Sequence, residues 1–305
     1  MEKDVNISER RMPAVKAWLL AARPKTLTGA AVPVMIALAL AYTDCRQMGQ
    51  PFLWLPALLC LLFAFVMQID ANFVNDYFDF MRGNDDETRL GPKRACAMGW
   101  VRAAAMRRAI VLTTAMGCLI GLPLVWYGGW QMVVVGLLCV VFCFLYTTHL
   151  SYHGLGDVLV LVFFGIVPVC IPYYIIARAI SVEVFIASLA CGIVIDGLLM
   201  VNNYRDIDND RRAGKMTLAV RLGKPVSRMF YLSLGICACV MGLVFALNGR
   251  LWAFLLPLAY LVLHFKAYRH MVAIDHGPEL NKVLGETARN MFVYGLCVGV
   301  GVLMG

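Results

Sequence analysis

The chain has 305 residues, 61% of them hydrophobic and only 15% charged, with 27 Lys and Arg against 19 Asp and Glu for a net charge of +8. A mean hydropathy of +0.74 exceeds what a water-soluble domain of this length tolerates, so the composition excludes a soluble globular enzyme and describes an integral membrane protein. The positive excess follows membrane topology rather than forming a patch, and no nucleic-acid partner is expected.

Apolar runs of the ~17 to 25 residues needed to cross a bilayer as a helix extend from Trp18 to Tyr42, Pro51 to Tyr77, Ala103 to Tyr127, Trp130 to Thr148, Leu155 to Ala177, Val182 to Tyr204, Ser227 to Leu247, Leu251 to Phe265 and Ala288 to Leu303. The last two are the shortest. The runs are continuous rather than alternating, which selects helices over a barrel. The expected fold is therefore all-α and polytopic, with nine transmembrane helices in a single domain covering residues 1–305. The first run is long, contains Pro33 and begins with the Arg23-Pro24-Lys25 group, so it reads as a retained span rather than a cleaved signal.

Of the 27 Lys and Arg, all but Arg46, Arg178 and Arg250 lie in the N-terminal segment or after the second, sixth and eighth runs. The positive-inside rule then places the N-terminus and those loops in the cytoplasm and Gly305 outside, in the cell (inner/plasma) membrane. The 11 cysteines, such as Cys118, Cys139, Cys143, Cys170, Cys191, Cys237 and Cys239, lack paired CxxC spacing and read as small apolar packing residues.

Two acidic stretches interrupt the hydrocarbon: Asn72-Phe-Val-Asn75-Asp76-Tyr-Phe-Asp79 and Asn203-Tyr-Arg-Asp206-Ile-Asp208-Asn-Asp210. Each closes an even-numbered run. That weak symmetry suggests two four-helix halves with a ninth span added, around a central cytoplasm-facing cavity. On a helix, Gln68, Asn72, Asn75 and Asp79 fall within about 60° of one another, with Asp76 at the edge of the stripe; Asp196, Asn203, Asp206 and Asp210 form a second stripe. Carboxylates at a membrane boundary are costly and mark functional sites. Their oxygens, with those of Asn, suit Mg²⁺, which is usually shared between a few carboxylates and a substrate phosphate. Cations follow each stretch: Arg82, Arg89, Lys93 and Arg94, then Arg205, Arg211, Arg212, Lys215 and Arg221. Metal-binding carboxylates beside phosphate-gripping cations form a diphosphate site. Arg107, Arg108, Lys224 and Arg228 read as interfacial anchors, while Asp70, Asp85, Asp86, Asp196 and Asp208 are left without a role.

The two motifs, Asn75-Asp76-Tyr-Phe-Asp79 and Asp206-Ile-Asp-Asn-Asp210, resemble the NDxxD and DxxxD motifs of the UbiA-type intramembrane prenyltransferases. Within that superfamily the surrounding residues are similar to the 1,4-dihydroxy-2-naphthoate polyprenyltransferases of menaquinone biosynthesis. The similar segments are Arg23-Pro-Lys-Thr-Leu, Arg89-Leu-Gly-Pro-Lys-Arg94, Asn202-Asn-Tyr-Arg-Asp206 and Gly214-Lys-Met-Thr-Leu-Ala-Val-Arg-Leu-Gly223. Two departures stand out: Gly83 occupies the place of a third motif aspartate found in many members, and Asp157 stands where relatives often carry Glu.

The resemblance implies Mg²⁺-dependent transfer of a polyprenyl group from its diphosphate to 1,4-dihydroxy-2-naphthoate, with loss of CO₂, giving demethylmenaquinone. It implies metal ligands at Asn75, Asp76, Asp79, Asp206 and Asp210, of which the four aspartates are catalytic. Substrate contacts are implied at Asn72, Arg82, Arg89, Lys93, Arg94, Asn203, Lys215 and Arg221. Tyr146 and Tyr152 are candidates to face an allylic cation with their rings. The implied partners are the two substrates and membrane lipid, with no protein partner named. His149, His153, His264, His270 and His276 read as solvated loop residues, and Lys25 either reaches the acceptor or snorkels to headgroups. Two alternatives remain: another acceptor such as 4-hydroxybenzoate or homogentisate, and a carboxylate-dependent secondary transporter.

Overall fold

The computed structural model describes residues 12–83 and 89–305; residues 1–11 and 84–88, which include Asp85 and Asp86, lie outside the described residues. Among the described residues, nine helical segments are long and apolar enough to cross a membrane: Ala14–Gln47, Trp54–Met81, Ala103–Gly128, Gln131–Thr148, Gly156–Ala177, Val182–Arg205, Leu218–Leu247, Leu251–Ile274 and Leu280–Met304. They are the first to ninth spans below.

The spans match the apolar runs in number and order but outlast several of them. The seventh starts at Leu218 rather than Ser227, the eighth continues to Ile274 past Phe265, and the ninth starts at Leu280 rather than Ala288. Charged residues such as Arg221, Lys224, Lys266, Arg269, Lys282 and Glu286 halt a hydropathy scan. They do not halt a helix whose polar ends stand at the interface with long side chains directed to water. For the same reason the second span reaches Met81, which keeps Asp79 in its last helical turn.

Two spans are locally irregular. In the first, the helices Ala14–Ala22 and Leu27–Gln47 flank a 3₁₀ turn at Pro24–Thr26. Arg23 there adopts a left-handed backbone with φ 50°, and the ring of Pro24 prevents the helix from running through. In the fifth, the helix widens to a π-helical stretch over Leu161–Ile166. A Cβ placed on Gly165 would lie 2.7 Å from the Ser188 carbonyl oxygen and 2.8 Å from the Gly192 Cα. The fifth and sixth spans therefore meet backbone to backbone, a contact only glycine permits.

The second span packs on the third, the sixth on the seventh, and the first on the second, the fifth and the ninth. The ninth, expected as an addition to the two halves, lies against the first, sixth and eighth. The third and fourth spans are the least enclosed, and they turn side chains such as Leu112, Leu119, Trp126 and Leu137 outward. Hydrocarbon solvates that surface at no cost.

Burial corrects one histidine: His264 is not a solvated loop residue but is buried between Tyr231 and Tyr260, with ring nitrogens 3.1 Å from the Tyr260 hydroxyl and 3.0 Å from the Tyr231 carbonyl oxygen. His270 and His276 are exposed beside Glu286 and Asp275. None of the eleven cysteines forms a disulfide.

At the end opposite the acidic motifs, Arg250 is buried between Glu183, at 2.7 Å, and Asp44. The Tyr173 hydroxyl donates to the second Asp44 oxygen at 2.5 Å. One guanidinium thus ties the loop before the eighth span to the first and sixth spans, and Asp44 carries the tie on to the fifth through Tyr173. Removing it strands two buried carboxylates, at a cost of about 3–5 kcal/mol. Arg250→Ala is expected to lower the unfolding temperature in detergent sharply, as read by thermal denaturation of purified protein, while Arg178→Ala leaves it within a degree or two.

Candidate active site

The two acidic stretches sit on different helices because each ends a span. Asn75, Asp76 and Asp79 occupy the last turns of the second span; Asp206 terminates the sixth, and Asp210 rides on the short helix Ile207–Arg212 that follows. Between them lies a cavity of about 400 Å³, open to one side and lined by both motifs.

On the first motif's side, Arg94 donates to the Asn75 side-chain oxygen at 2.9 Å and to Asp79 at 2.7 Å. A planar guanidinium suits such a two-point grip. Arg89 also lines the cavity. On the facing side, Arg205 holds Asp206 through both carboxylate oxygens, at 2.9 and 2.6 Å, and receives support from the side-chain oxygens of Asn202 at 2.8 Å and Asn281 at 2.7 Å. Lys215 stands 3.7 Å from one oxygen of Asp210, and the other oxygen is buried without a partner among the described residues. Burial raises the Asp210 carboxyl to about 6, with Asp206 adding to the rise and Lys215 opposing it.

The residues expected at the site separate into two groups. Asn75, Asp79, Arg89, Arg94, Tyr146, Asn203, Asp206, Asp210 and Lys215 line the cavity. Asn72, Asp76, Arg82, Lys93 and Arg221 do not, and four of these are committed to the protein's own backbone. Asp76, 1% exposed, accepts from the backbone N–H groups of Ala95 at 2.9 Å and Cys96 at 3.0 Å, so it fastens the loop that carries Arg94. Asn72 donates to the Ala22 carbonyl and the Thr26 hydroxyl, each at 2.9 Å, and secures the break in the first span. Arg82 caps the fourth span by donating to the carbonyls of Thr147 at 3.1 Å and Thr148 at 2.6 Å. Arg221 donates to the His153 carbonyl at 2.9 Å.

The other aspartates are also placed. Asp70 accepts from Thr113 at 2.5 Å and Thr114 at 2.8 Å between the second and third spans. Asp208 is exposed beside Arg211. Asp157 and Asp196 turn their carboxyl groups toward each other, and Asp157 lines a small cleft adjoining the cavity beside Tyr146. Both tyrosines line the cavity; Tyr146 has no cation over its ring among the described residues, whereas the Tyr152 ring is already faced by the Arg82 guanidinium 5.0 Å from its centroid.

Several contributors escaped the sequence reading. Arg23 sits at the first-span break within electrostatic reach of Asp76, Asp79, Arg89 and Arg94; its one signal was the Arg-Pro pair, which forces a turn. Asn202 and Asn209 also line the cavity, and their closeness to the second motif was the only cue. Asn281 and Lys25 mark opposite cases: the first supports Arg205 from a remote span, and the second is exposed.

The carboxylate and amide oxygens on the wall are hard donors of the kind that suits a hard cation, and the partnerless oxygen of Asp210 fits a ligand that the protein does not itself supply. Among the described residues no three Asp, Glu, His or Cys side chains converge on a point. The donor set therefore suits ions shared with a bound oxyanion rather than an all-protein metal cage.

The chain is similar to prenyltransferases over nearly its whole length. The 1,4-dihydroxy-2-naphthoate octaprenyltransferase of Escherichia coli is 32% identical over 98% of both chains, and that of Mycobacterium tuberculosis is 33% identical over 96% of this chain and 99% of its own. The structure of a UbiA homolog from Archaeoglobus fulgidus bound to GPP and Mg²⁺ superposes with a TM-score of 0.67 at 12% identity, over 95% of this chain and all of that one. The apo UbiA homolog from Aeropyrum pernix gives 0.66 at 16% identity, over 89% and 97%. The model of the UbiA prenyltransferase family matches residues 30–296, and the chain is an integral membrane member of that family.

Proposed function

We propose that the protein transfers a polyprenyl group from polyprenyl diphosphate to 1,4-dihydroxy-2-naphthoate, with loss of the ring carboxylate as CO₂. The observation that carries this reading is the cavity in which Asn75, Asp79 and Arg94 face Asp206, Asp210 and Lys215. It is supported by the names of the relatives, which carry this acceptor, and by the family neighbour bound to GPP and Mg²⁺.

Asn75, Asp79, Asp206 and Asp210 are the residues to hold Mg²⁺, with Asp76 acting behind them through the loop it fastens. When bound, the metal neutralises the diphosphate and stabilises the departing pyrophosphate. The chain's own part is positional. Arg94 and Lys215 are paired with Asp79 and Asp210 in this structure and are placed to exchange those carboxylates for phosphate oxygens. Arg89 and Arg212 enlarge the positive wall. The Tyr146 ring, with no cation over it among the described residues, is placed to face the allylic carbocation that remains after ionisation. The cytoplasmic placement of the motifs follows from the Lys and Arg distribution.

The assay is direct: purified protein in nanodiscs with 1,4-dihydroxy-2-naphthoate, a polyprenyl diphosphate and Mg²⁺, with products identified by mass spectrometry. A prenylated, decarboxylated naphthoquinol is the expected product. Prenylation of 4-hydroxybenzoate instead would keep the family reaction and reject the acceptor. Asp79→Ala and Asp210→Ala are each expected to lower kcat/KM by at least ~100-fold in protein that still inserts and folds, since each removes a charge-stabilising ligand. A chelator is expected to stop turnover and added Mg²⁺ to restore it.

A pH dependence follows from Asp210. Its carboxyl titrates at about 6, and a proton there competes with metal, so metal binding weakens as pH falls below that value. The Mg²⁺ concentration for half-maximal rate is expected to rise roughly tenfold per pH unit below about 6 and to flatten above 7. Equal requirements at pH 5.5 and 7.5 would overturn the expectation that a raised Asp210 carboxyl binds the metal.

A further inference from the structure

Asn281 stands in the first turn of the ninth span, far in sequence from either acidic motif. Its side-chain oxygen accepts from Arg205 at 2.7 Å, and its amide nitrogen donates to the Leu90 carbonyl at 2.8 Å. Both ends of one amide are therefore used. The first end touches the guanidinium that grips Asp206, and the second holds the loop that carries Arg89 and Arg94. Gly91 completes the contact: a Cβ there would stand 2.9 Å from the Arg205 guanidinium and 3.2 Å from that of Arg89. The Arg205 side chain is 1% exposed and held by Asn202, Asp206 and Asn281, so it has nowhere to retreat.

We propose that Asn281 is a positioning residue that joins the two halves of the diphosphate site, fixing Arg205 against Asp206 and the Arg89–Arg94 loop against Arg205. The inference rests on the proposed reading of the cavity as a diphosphate site. Asn281 does not reach the cavity wall itself. It acts through Arg205 and through the Leu90 backbone, so its influence falls on the substrate that both halves must grip together. An amide suits this place because it donates and accepts at once. The substitution Asn281→Asp would keep the bond to Arg205 but lose the donor to Leu90, and Asn281→Leu would lose both.

The test is steady-state kinetics of Asn281→Ala, Gly91→Ala and the double variant in nanodiscs, with each substrate and Mg²⁺ varied in turn. Loss of a hydrogen bond to a charged group together with one to backbone predicts that N281A raises the KM for polyprenyl diphosphate and the Mg²⁺ requirement roughly tenfold. The acceptor KM and the unfolding temperature are expected to stay as in the unmodified protein. Because both substitutions loosen one contact, the effects of N281A and G91A are expected to be less than additive. Asn281→Asp is expected to fall between the unmodified protein and N281A. Unchanged KM and Mg²⁺ requirement in N281A would overturn the proposal. So would an equal rise in both substrate KM values with a lowered unfolding temperature, which would mark a general loss of stability, or strict additivity with G91A. If the unmodified protein does not turn over a prenyl diphosphate at all, the functional reading fails first. The geometry is then tested by crosslinking cysteines placed at positions 90 and 281 in the unmodified and G91A backgrounds, where the expected result is efficient crosslinking that G91A lowers.

Discussion

The arrangement depends on one constraint: carboxylates at the mouth of a hydrocarbon bundle must be compensated before any ligand arrives. Two opposite charges about 4 Å apart attract by about 4 kcal/mol at the effective dielectric of a protein near its surface, and the site uses that attraction at each carboxylate. Asp79 is held by Arg94, Asp206 by Arg205, and Asp210 is approached by Lys215. The compensation is local and reversible. Asp206 brings Arg205 with it, so the three carboxylates on the wall stand against five cations, Arg89, Arg94, Arg205, Arg212 and Lys215, a surplus of two positive charges. That surplus suits an anionic ligand at the edge of a low dielectric.

That pairing explains why the site was only partly legible in the sequence. The second span's polar stripe was real: Gln68, Asn72, Asn75 and Asp79 share a face. Periodicity reports azimuth, however, and says nothing about depth or about what lies opposite. One turn up the helix the same face meets the break in the first span, so Asn72 is consumed by Ala22 and Thr26 while Asn75 and Asp79 meet the cavity. Asp76, at the edge of the stripe, turns to the backbone of Ala95 and Cys96. Arg82 and Arg221 stood close to the motifs in sequence yet serve as caps and ties for neighbouring loops. Asn281 lacked any local signal, because its role arises only when the ninth span comes beside the sixth.

The fold itself was more legible, for a physical reason. Continuous apolar runs have a single way to satisfy their backbone in lipid, so span number and order followed directly. What the runs concealed were the polar ends and the irregularities. Helices at the interface continue through Arg, Lys and Glu that water can solvate, as the seventh, eighth and ninth spans do. The break at Arg23 and the π-helical stretch at Leu161–Ile166 could be anticipated only loosely, from Pro24 and from the Pro168 and Pro172 pair. The break brings Arg23 near the site, and the π-helical stretch adjoins the contact that brings the fifth and sixth spans together.

The two halves of the site differ in how firmly they are built. Arg205 belongs to the sixth span and is held by three neighbouring side chains, so Asp206 is presented by a rigid element. Arg94 belongs to a loop whose fixed points are the Leu90 carbonyl on one side and the Ala95 and Cys96 amides on the other. Between those anchors only Gly91, Pro92, Lys93 and Arg94 remain to adjust. A half built on a span beside a half carried by a short, tethered loop suits the binding of a charged group beside lipid, because little backbone need be ordered on binding. The anchoring residues, Asp76 and Asn281, then matter as much to the site as the side chains that line it, although neither lines the cavity.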